Sequence, residues 1–372
     1  VVYMEDPKRL VFPAPEWEAR VRRWSAVFRD KPDVLTSSVA ITAMRETKYL
    51  VNTEGARLAH GRGYVRLQIS AETRADDGMN LSLGETFEAE DLAGLPEEKT
   101  VLAAAERVAR ILGQLRNAPV ADPYVGPAIL SGHAAGVFFH EIFGHRVEGH
   151  RQKDETEGQT FTKSIGTRVL PEHLSVIFDP TLSSMDGRNL FGSYRYDDEG
   201  VPAQRVVVVE NGILRTFLMS RAPVLTFDRS NGHGRRQPGA EVVSRQSNLI
   251  VESARTVSET ALRELLRQEV GRQKKPYGLF FQQVTGGLTQ TGRAGLQAFS
   301  VVPVVVYKVF PDGRPDELIR GVDIVGTPLA SFGRIMATSD RPEVFNGYCG
   351  AESGTIPVSA VSPALLVSEI ET

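Results

Sequence analysis

The chain has 372 residues, of which 41% are hydrophobic. This length is more than one average domain needs, and the apolar content is enough to build a substantial core. Its 43 lysines and arginines nearly balance 46 aspartates and glutamates, and the net charge of −3 argues against a protein that holds a nucleic-acid backbone. No run of about 18 uncharged apolar residues occurs, and the first six residues lack a secretory signal, so we expect a soluble protein without a membrane partner.

Cys349 is the single cysteine of the sequence, so the chain cannot close a disulfide on itself. A chain without disulfides is typical of the reducing cytoplasm, which is the localisation we predict. A lone cysteine can be a small buried hydrophobe or a functional thiol, and its surroundings must decide between the two. The sequence begins at Val1 without an initiator methionine, which predicts that further sequence lies upstream.

The first 117 residues predict an N-terminal α/β region made of a helix, an antiparallel meander and a second helix. Apolar residues spaced by four, three and four indicate an amphipathic helix over residues 15–29. Short β-rich runs separated by glycine-containing turns follow over residues 34–88. Residues 96–116 predict a long helix, and a connection rich in proline and glycine over residues 117–126 divides the chain.

The second part, residues 118–372, predicts mainly strands. Asn211 and Gly212 separate two apolar runs and are the residues that a type I′ hairpin turn prefers. A helix is expected near residues 257–270, with Thr256 and Glu259 as a capping box at its start. Further strands are expected at residues 249–251, 301–310, 317–325 and 356–367. The whole chain therefore predicts a strand-rich α+β fold with two subdomains and antiparallel or mixed sheets.

A cluster of histidines marks the start of this second part. Two of them, with a glutamate, form the run His140-Glu141-Ile142-Phe143-Gly144-His145. Two imidazoles and an adjacent carboxylate are what a catalytic zinc site requires, namely nitrogen ligands and a base. The alternative is an ordinary buried helix with a solvated, histidine-rich edge. The neighbouring histidines, His133 and His150, are better explained as surface residues or as partners of the ligands.

The spacing of the two central histidines predicts a distorted helix. In a regular helix, positions five apart differ by about 140° in direction, so His140 and His145 could not share one ion. We therefore expect a bulge or a break between them, such as a π turn, which Gly144 would make less costly. Glu148, three residues after His145, is either a further ligand or a carboxylate that orients a ligating imidazole.

A catalytic zinc site usually has three protein ligands, so a third ligand must come from elsewhere in the chain. Cys349 lies in a glycine-rich segment, residues 346–354, which we expect to be a loop that can bend closely around an ion. A thiolate is a strong zinc ligand, and metal binding keeps the sulfur deprotonated. Cys349 is therefore the candidate for the third ligand.

Four segments together resemble the TldD/PmbA (modulator of DNA gyrase) metallopeptidase family, and specifically its zinc-bearing TldD-like branch. Residues 137–148, reading VFFHEIFGHRVE, look like the HExxxH helix of that family. Residues 197–200, reading DDEG, with Pro202 two positions later, resemble the DDEG segment of that family. Residues 231–236, reading NGHGRR, resemble its arginine-rich loop with an extra His-Gly pair, and residues 346–357 resemble its terminal glycine-rich segment.

The resemblance implies that His140, His145 and Cys349 bind zinc and that Glu141 is the general base. It implies a peptidase that hydrolyses unfolded or small peptides through a water activated by zinc. It also implies a homodimer, or a heterodimer with a zinc-free PmbA/TldE-like subunit. Family members have a longer N-terminal region, so the resemblance implies either a chain shortened at its start or a divergent member.

A thiolate ligand weakens the Lewis acidity of zinc, so a further group that stabilises the developing oxyanion is expected. Arg235, Arg236 and Tyr348 are candidates for that role or for contact with substrate. An alternative function is a peptide-binding or assembly subunit with a structural zinc. Nucleic-acid binding, suggested by the historical link of the family to DNA gyrase, is disfavoured by the net charge of −3.

Overall fold

The computed structural model describes residues 1–7, 9–292, 299–326 and 332–372. The chain divides into two compact units. The first contains Val1–Pro119 and Gly187–Asn189, and the second contains Val120–Asp186 and Leu190–Thr372.

The first unit is built on an antiparallel meander. It consists of β2 (Thr36–Val51), β3 (Arg57–Arg74) and β4 (Asn80–Ala89), and β1 (Val2–Met4) pairs with β3 in parallel. Helix α1 (Ala14–Ser25) buries Trp17 and Trp24, whose ring centroids lie 6.1 Å apart. Helix α2 (Glu98–Asn117) buries an alanine-rich face that permits close packing on β3 and β4. The predicted helices and meander are confirmed.

The second unit is built on a mixed sheet in which β20 (Gly354–Glu371) is central. It pairs in parallel with β13 (Asn248–Ser253) and antiparallel with β5 (Val125–Leu130), β18 (Ile324–Gly326) and β19 (Ile335–Ala351). The remaining strands of this sheet are β6 (Leu174–Phe178), β9 (Val206–Glu210), β10 (Ile213–Leu214), β14 (Thr256–Val257), β15 (Gly278–Thr289), β16 (Phe299–Val309) and β17 (Glu317–Ile319). Strands β11 (Gly234–Arg235) and β12 (Val243–Ser244) form a separate two-stranded sheet in this unit. The short strand β7 (Ser184–Met185) also belongs to this unit, and β8 (Arg188–Asn189) belongs to the first. The predicted α+β class is confirmed.

Two helices accompany this sheet. Helix α3 (Gly132–Ile142) packs between β20 and β15, and every residue of its second half is buried. Helix α4 (Glu259–Arg272) is capped by Ser258, whose hydroxyl accepts a hydrogen bond from the Ala261 amide at 3.2 Å. The predicted capping box was wrong because Thr256 belongs to β14, where it pairs with β19.

Two turns decide local register in the second unit. Asn211 and Gly212 have φ angles of 47° and 79°, as the predicted type I′ turn between β9 and β10 requires. The segment around Cys349 is a strand and not the loop that we predicted. It ends β19, and a two-residue turn joins it to β20, with Cys349 opposite Ile356. The glycines are typical of a loop, but this segment forms a strand because it pairs with β20, despite the low strand preference of glycine.

None of the helices formed by the described residues combines the length and apolar character that crossing a bilayer requires.

Candidate metal centre

The predicted break between His140 and His145 is confirmed as the end of a helix. Helix α3 ends at Ile142, and a 3₁₀ turn over Gly144–Val147 follows. The imidazole rings of the two histidines have centroids 5.0 Å apart and planes at 81°. The tighter 3₁₀ turn, and not a wide π turn, therefore brings the two imidazole rings close together.

Glycine at position 144 leaves room for a neighbouring side chain and does not serve to relieve backbone strain. A Cβ at this position would overlap the side-chain amide of Gln246. That amide donates a hydrogen bond to the His140 carbonyl at 3.3 Å, which satisfies a backbone acceptor at the end of α3. The glycine thus lets Gln246 support the helix end that carries His140.

The structure brings Cys349 to the two histidines. The ligand atoms of His140, His145 and Cys349 all lie within 4.8 Å of one another, and all three residues are buried. Cys349 Sγ is 3.3 Å from His145 Nε2. Tetrahedral zinc, with bonds of about 2.0 Å to nitrogen and 2.3 Å to sulfur, places two such donors about 3.5 Å apart. The spacing and the mixed nitrogen–sulfur chemistry therefore fit zinc.

Glu148 lies behind His145 and is completely buried. One carboxylate oxygen, Oε2, is 3.2 Å from His145 Nδ1 and accepts a hydrogen bond from Arg151 Nε at 2.9 Å. The other, Oε1, accepts from Arg245 Nε at 3.2 Å. This is the geometry of a carboxylate that fixes the orientation of an imidazole while the opposite ring nitrogen faces the ligand cluster.

The charges in the cluster favour a thiolate. Burial alone would raise the pKa of Cys349, but the neighbouring His145 and His140 outweigh it and hold that pKa well below its ordinary value. Burial alone would lower the pKa of His145, but the Cys349 and Glu148 charges raise it well above its usual range. Zinc binds the thiolate form of cysteine and the neutral form of histidine, so metal binding here keeps the Cys349 thiolate and displaces the proton that the charges favour on His145.

Glu141 lies on the last turn of α3 beside His140 and is only 8% exposed. Its side chain packs against β15 at Gly287. Arg146 anchors the same helix end, because its Nη1 donates to the Glu141 carbonyl at 3.0 Å and to Thr289 Oγ1 at 2.8 Å. The Glu141 side chain, which follows His140 in α3, is therefore held in place by packing and by its backbone.

Comparison with known proteins assigns the family. Residues 124–372 match the model of the PmbA/TldA metallopeptidase C-terminal domain. The chain belongs to the PmbA/TldA metallopeptidase family.

Curated relatives in this family carry metalloprotease names. A metalloprotease of Methanocaldococcus jannaschii is 32% identical over 233 residues, which cover 62% of this chain and 47% of that protein. A metalloprotease TldD homolog of Haemophilus influenzae is 25% identical over 346 residues, covering 90% and 66%. A zinc metalloprotease TldD homolog of Saccharolobus solfataricus is 26% identical over 265 residues, covering 70% and 54%. The chain thus spans about half to two thirds of the length of these relatives.

Solved structures share the fold. A Thermotoga maritima protein named as a modulator of a DNA gyrase aligns with a TM-score of 0.71 at 17% identity, covering 100% of this chain and 79% of that one. TldE from Thermococcus kodakarensis aligns with a TM-score of 0.65 at 14% identity, covering 99% and 78%. At these identities the likeness concerns the fold alone.

Within the PmbA/TldA fold, the DDEG and NGHGRR segments bind each other. Asp197 accepts a hydrogen bond from the Gly234 amide at 3.0 Å, and Asp198 accepts one from the Arg236 amide at 2.8 Å. Burial raises the pKa of Asp197 to about 7, although backbone amides oppose the shift. Among the residues that the structure describes, these carboxylates contact this loop and are not part of the His140–His145–Cys349 cluster.

The other three predicted residues differ in their exposure and in their contacts. Arg235 is buried, donates to the Gln246 carbonyl and stacks on Tyr194 at 4.8 Å. Arg236 is exposed, and its guanidinium donates to the Ala240 carbonyl at 3.2 Å. Tyr348 is 40% exposed and precedes Cys349 in β19, so alternation along the strand directs it to the opposite face.

The two outer histidines are outside the ligand cluster. The amide of His133 donates to Glu343 at 2.6 Å, and its ring packs edge-on against Phe345. His150 pairs with Glu352 at the turn between β19 and β20. Both positions agree with the expectation that neither residue binds the metal directly.

Sequence reasoning missed Arg245. It lies in the run Ser244–Asn248, five consecutive polar residues that are all completely buried. Such a run is typical of an exposed loop, and no local pattern distinguishes it. Its burial depends on partners about 100 positions away, namely Glu148 and Cys349.

Gly287 provides a test of where the Glu141 carboxyl group must lie. A Cβ at residue 287 would come within 2.5 Å of Glu141 Cγ, whereas a Cβ at Gly286 would meet nothing within 4 Å. If Glu141 is the general base of a zinc peptidase, as the sequence predicts, Gly287→Ala should displace its carboxyl group and lower peptidase activity at least about tenfold with zinc content unchanged, since small misplacements of a catalytic group are costly. Gly286→Ala, in the same strand, is the matched control. Equal activities of the two variants would contradict the assignment.

Proposed function

We propose that this chain is a zinc-dependent peptidase in which His140, His145 and Cys349 bind the metal and Glu141 is the general base. The observation that carries the proposal is the convergence of two imidazoles and the sulfur of Cys349 from distant segments, with the buried Glu141 next to His140 in α3. Three protein donors are the usual number in a catalytic zinc site, whereas structural sites use four. The metalloprotease names of the relatives support the same reaction class.

His140, His145 and Cys349 would hold zinc, which would supply the Lewis acidity for activating a water and polarising a carbonyl group. Glu141 accepts the proton of the attacking water and then donates it to the leaving amine, which completes hydrolysis of the peptide bond. Glu148 holds His145 in the orientation that directs Nε2 toward Cys349. Arg235, which is buried, remains a candidate for stabilising the oxyanion, whereas Arg236 and Tyr348 remain candidates only for binding substrate, since Arg236 is exposed and Tyr348 is directed to the face opposite Cys349.

We propose unfolded or small peptides as substrates, and a homodimer or a pair with a zinc-free PmbA/TldE-like subunit as the assembly. Light scattering of the chain alone, and after mixing with such a subunit, distinguishes the two assemblies. The alternative function is a peptide-binding or assembly subunit in which zinc is structural. Zinc binding without any hydrolysis, with the partner subunit present, would favour this alternative.

Metal removal tests the proposed function directly. We expect a chelator to reduce cleavage of an unfolded polypeptide to below about 1% of its starting rate, because the metal provides both activation and polarisation. One equivalent of zinc should restore the rate, and magnesium should not, since the donor set contains a thiolate. Cleavage that continues in protein shown by elemental analysis to lack zinc would contradict the proposal.

A further inference from the structure

We propose that Arg245 is a positioning residue that fixes two of the three metal ligands and adjusts the charge of the thiolate. This inference rests on the proposed function, because it concerns the same metal. It assigns a role to a residue that is not one of the three candidate ligands.

A single guanidinium group connects the ligands. Arg245 Nη2 donates to Cys349 Sγ at 3.2 Å and to the Cys349 carbonyl at 2.9 Å. Arg245 Nε donates to Glu148, whose other carboxylate oxygen contacts His145 Nδ1. Arg245 thus links a ligand from β19 to a ligand from the 3₁₀ turn after α3, although the two are 204 positions apart.

The same group also fixes the turn that carries the thiolate. Arg245 Nη1 donates to Ser353 Oγ at 2.7 Å and to the Gly354 carbonyl at 3.2 Å. These acceptors lie at the turn between β19 and β20, directly after Cys349. Arginine can serve all these acceptors because its donors are spread over a rigid fork, whereas lysine offers one point charge.

Burial makes these contacts electrostatically important. Arg245 and Glu148 are both 0% exposed, so water does not screen the guanidinium from the sulfur. A donor on a thiolate withdraws electron density from it, which reduces the charge that the sulfur passes to a bound metal. Since a thiolate ligand weakens Lewis acidity, Arg245 offsets part of that weakening.

The test uses the full chain and compares Arg245→Lys, Arg245→Met and Ser353→Ala with the parent. Zinc affinity is measured by competition with a chromophoric chelator, and the sulfur-to-metal charge-transfer band is recorded with cobalt(II). We expect Arg245→Met to bind zinc about 10- to 100-fold more weakly, as is usual when a partner of a ligand is removed. Its band should move to lower energy, because the sulfur loses a donor. Arg245→Lys should lie between the parent and Arg245→Met.

Ser353→Ala removes one acceptor from the guanidinium and leaves the Glu148 pair intact, so it should give a smaller change in the same direction. Arg215→Met is the control, since Arg215 is half exposed and pairs with Glu210 of β9 and not with a ligand or with Glu148. Unchanged affinity and band energy in the folded Arg245 variants would overturn the inference. If Arg245→Met does not fold, unchanged values in Arg245→Lys and Ser353→Ala would overturn it equally. Weaker affinity with an unmoved band would reject the adjustment of the thiolate. A parent that binds no zinc would instead refute the proposed function.

Discussion

Replacing Glu141 with glutamine is expected to lower kcat by about 10² to 10⁴, the usual contribution of a general base, while zinc stays bound. Glutamine has nearly the same shape, so it can occupy the space against Gly287 without disturbing α3. Its amide cannot accept the proton of the attacking water. The expected result is therefore a folded protein that contains zinc and is nearly inactive.

The matched control for this substitution is Glu172→Gln. The Glu172 side chain is 83% exposed, and its ion pair with Arg168 is 3.8 Å long, so its loss should leave activity unchanged. Hydrolysis of an unfolded polypeptide and zinc content are measured on all three proteins. If Glu141→Gln cleaves as fast as the control, Glu141 is not the base, and the structural-zinc alternative gains support.

Replacing Glu148 with alanine is expected to destabilise the protein by about 3 to 5 kcal/mol, which is the usual cost of removing one partner of a buried ion pair. The substitution leaves Arg245, which is completely buried, without its carboxylate, and removes a partner of Arg151 and of His145. Zinc affinity should fall as well, because His145 loses the group that orients it. Chemical unfolding and zinc competition measure the two effects.

The control here is Glu252→Ala, since Glu252 is 58% exposed and forms only a 3.9 Å pair with Arg205. A Glu148→Ala variant within about 0.5 kcal/mol of this control, the range of ordinary surface changes, would contradict the assigned role.

The loss of stability in Glu148→Ala must also depend on pH. Burial would raise the pKa of Glu148, but His145, Arg151 and Arg245 hold it well below its usual value.

The sign of this pH dependence follows from the lowered pKa. Glu148 stabilises the folded state fully above its unfolded pKa of about 4.3, and the contribution is lost as the pH falls through the folded pKa. The difference in unfolding free energy between the parent and Glu148→Ala should therefore narrow below about pH 4. A difference that widened on acidification would contradict the assigned charge.

The local patterns in the sequence predicted most of the elements. Spacing of apolar residues located α1 and α2, Asn211-Gly212 located a hairpin, and the five-residue separation of His140 and His145 required a break in α3. These features depend on neighbours in the chain, which is why periodicity and turn preferences reveal them.

The features that sequence reasoning missed depend on distant partners. Cys349 lies in a strand because β20 pairs with a glycine-rich segment that looks like a loop. Arg245 is buried because acceptors from three other segments surround it. Gly144 serves the approach of Gln246, about 100 residues away, and not the wide turn that we expected. The division into an N-terminal region and a C-terminal metallopeptidase domain remains a prediction.

X-ray absorption at the zinc edge, with elemental analysis of the purified chain, tests the central claim most directly. We predict about one zinc per chain with two nitrogen neighbours from imidazoles near 2.0 Å and one sulfur neighbour near 2.3 Å. Replacing Cys349 with serine should remove the sulfur contribution. Zinc without a sulfur neighbour in the parent, or a well-folded parent that binds no zinc when it is supplied, would contradict the proposed site.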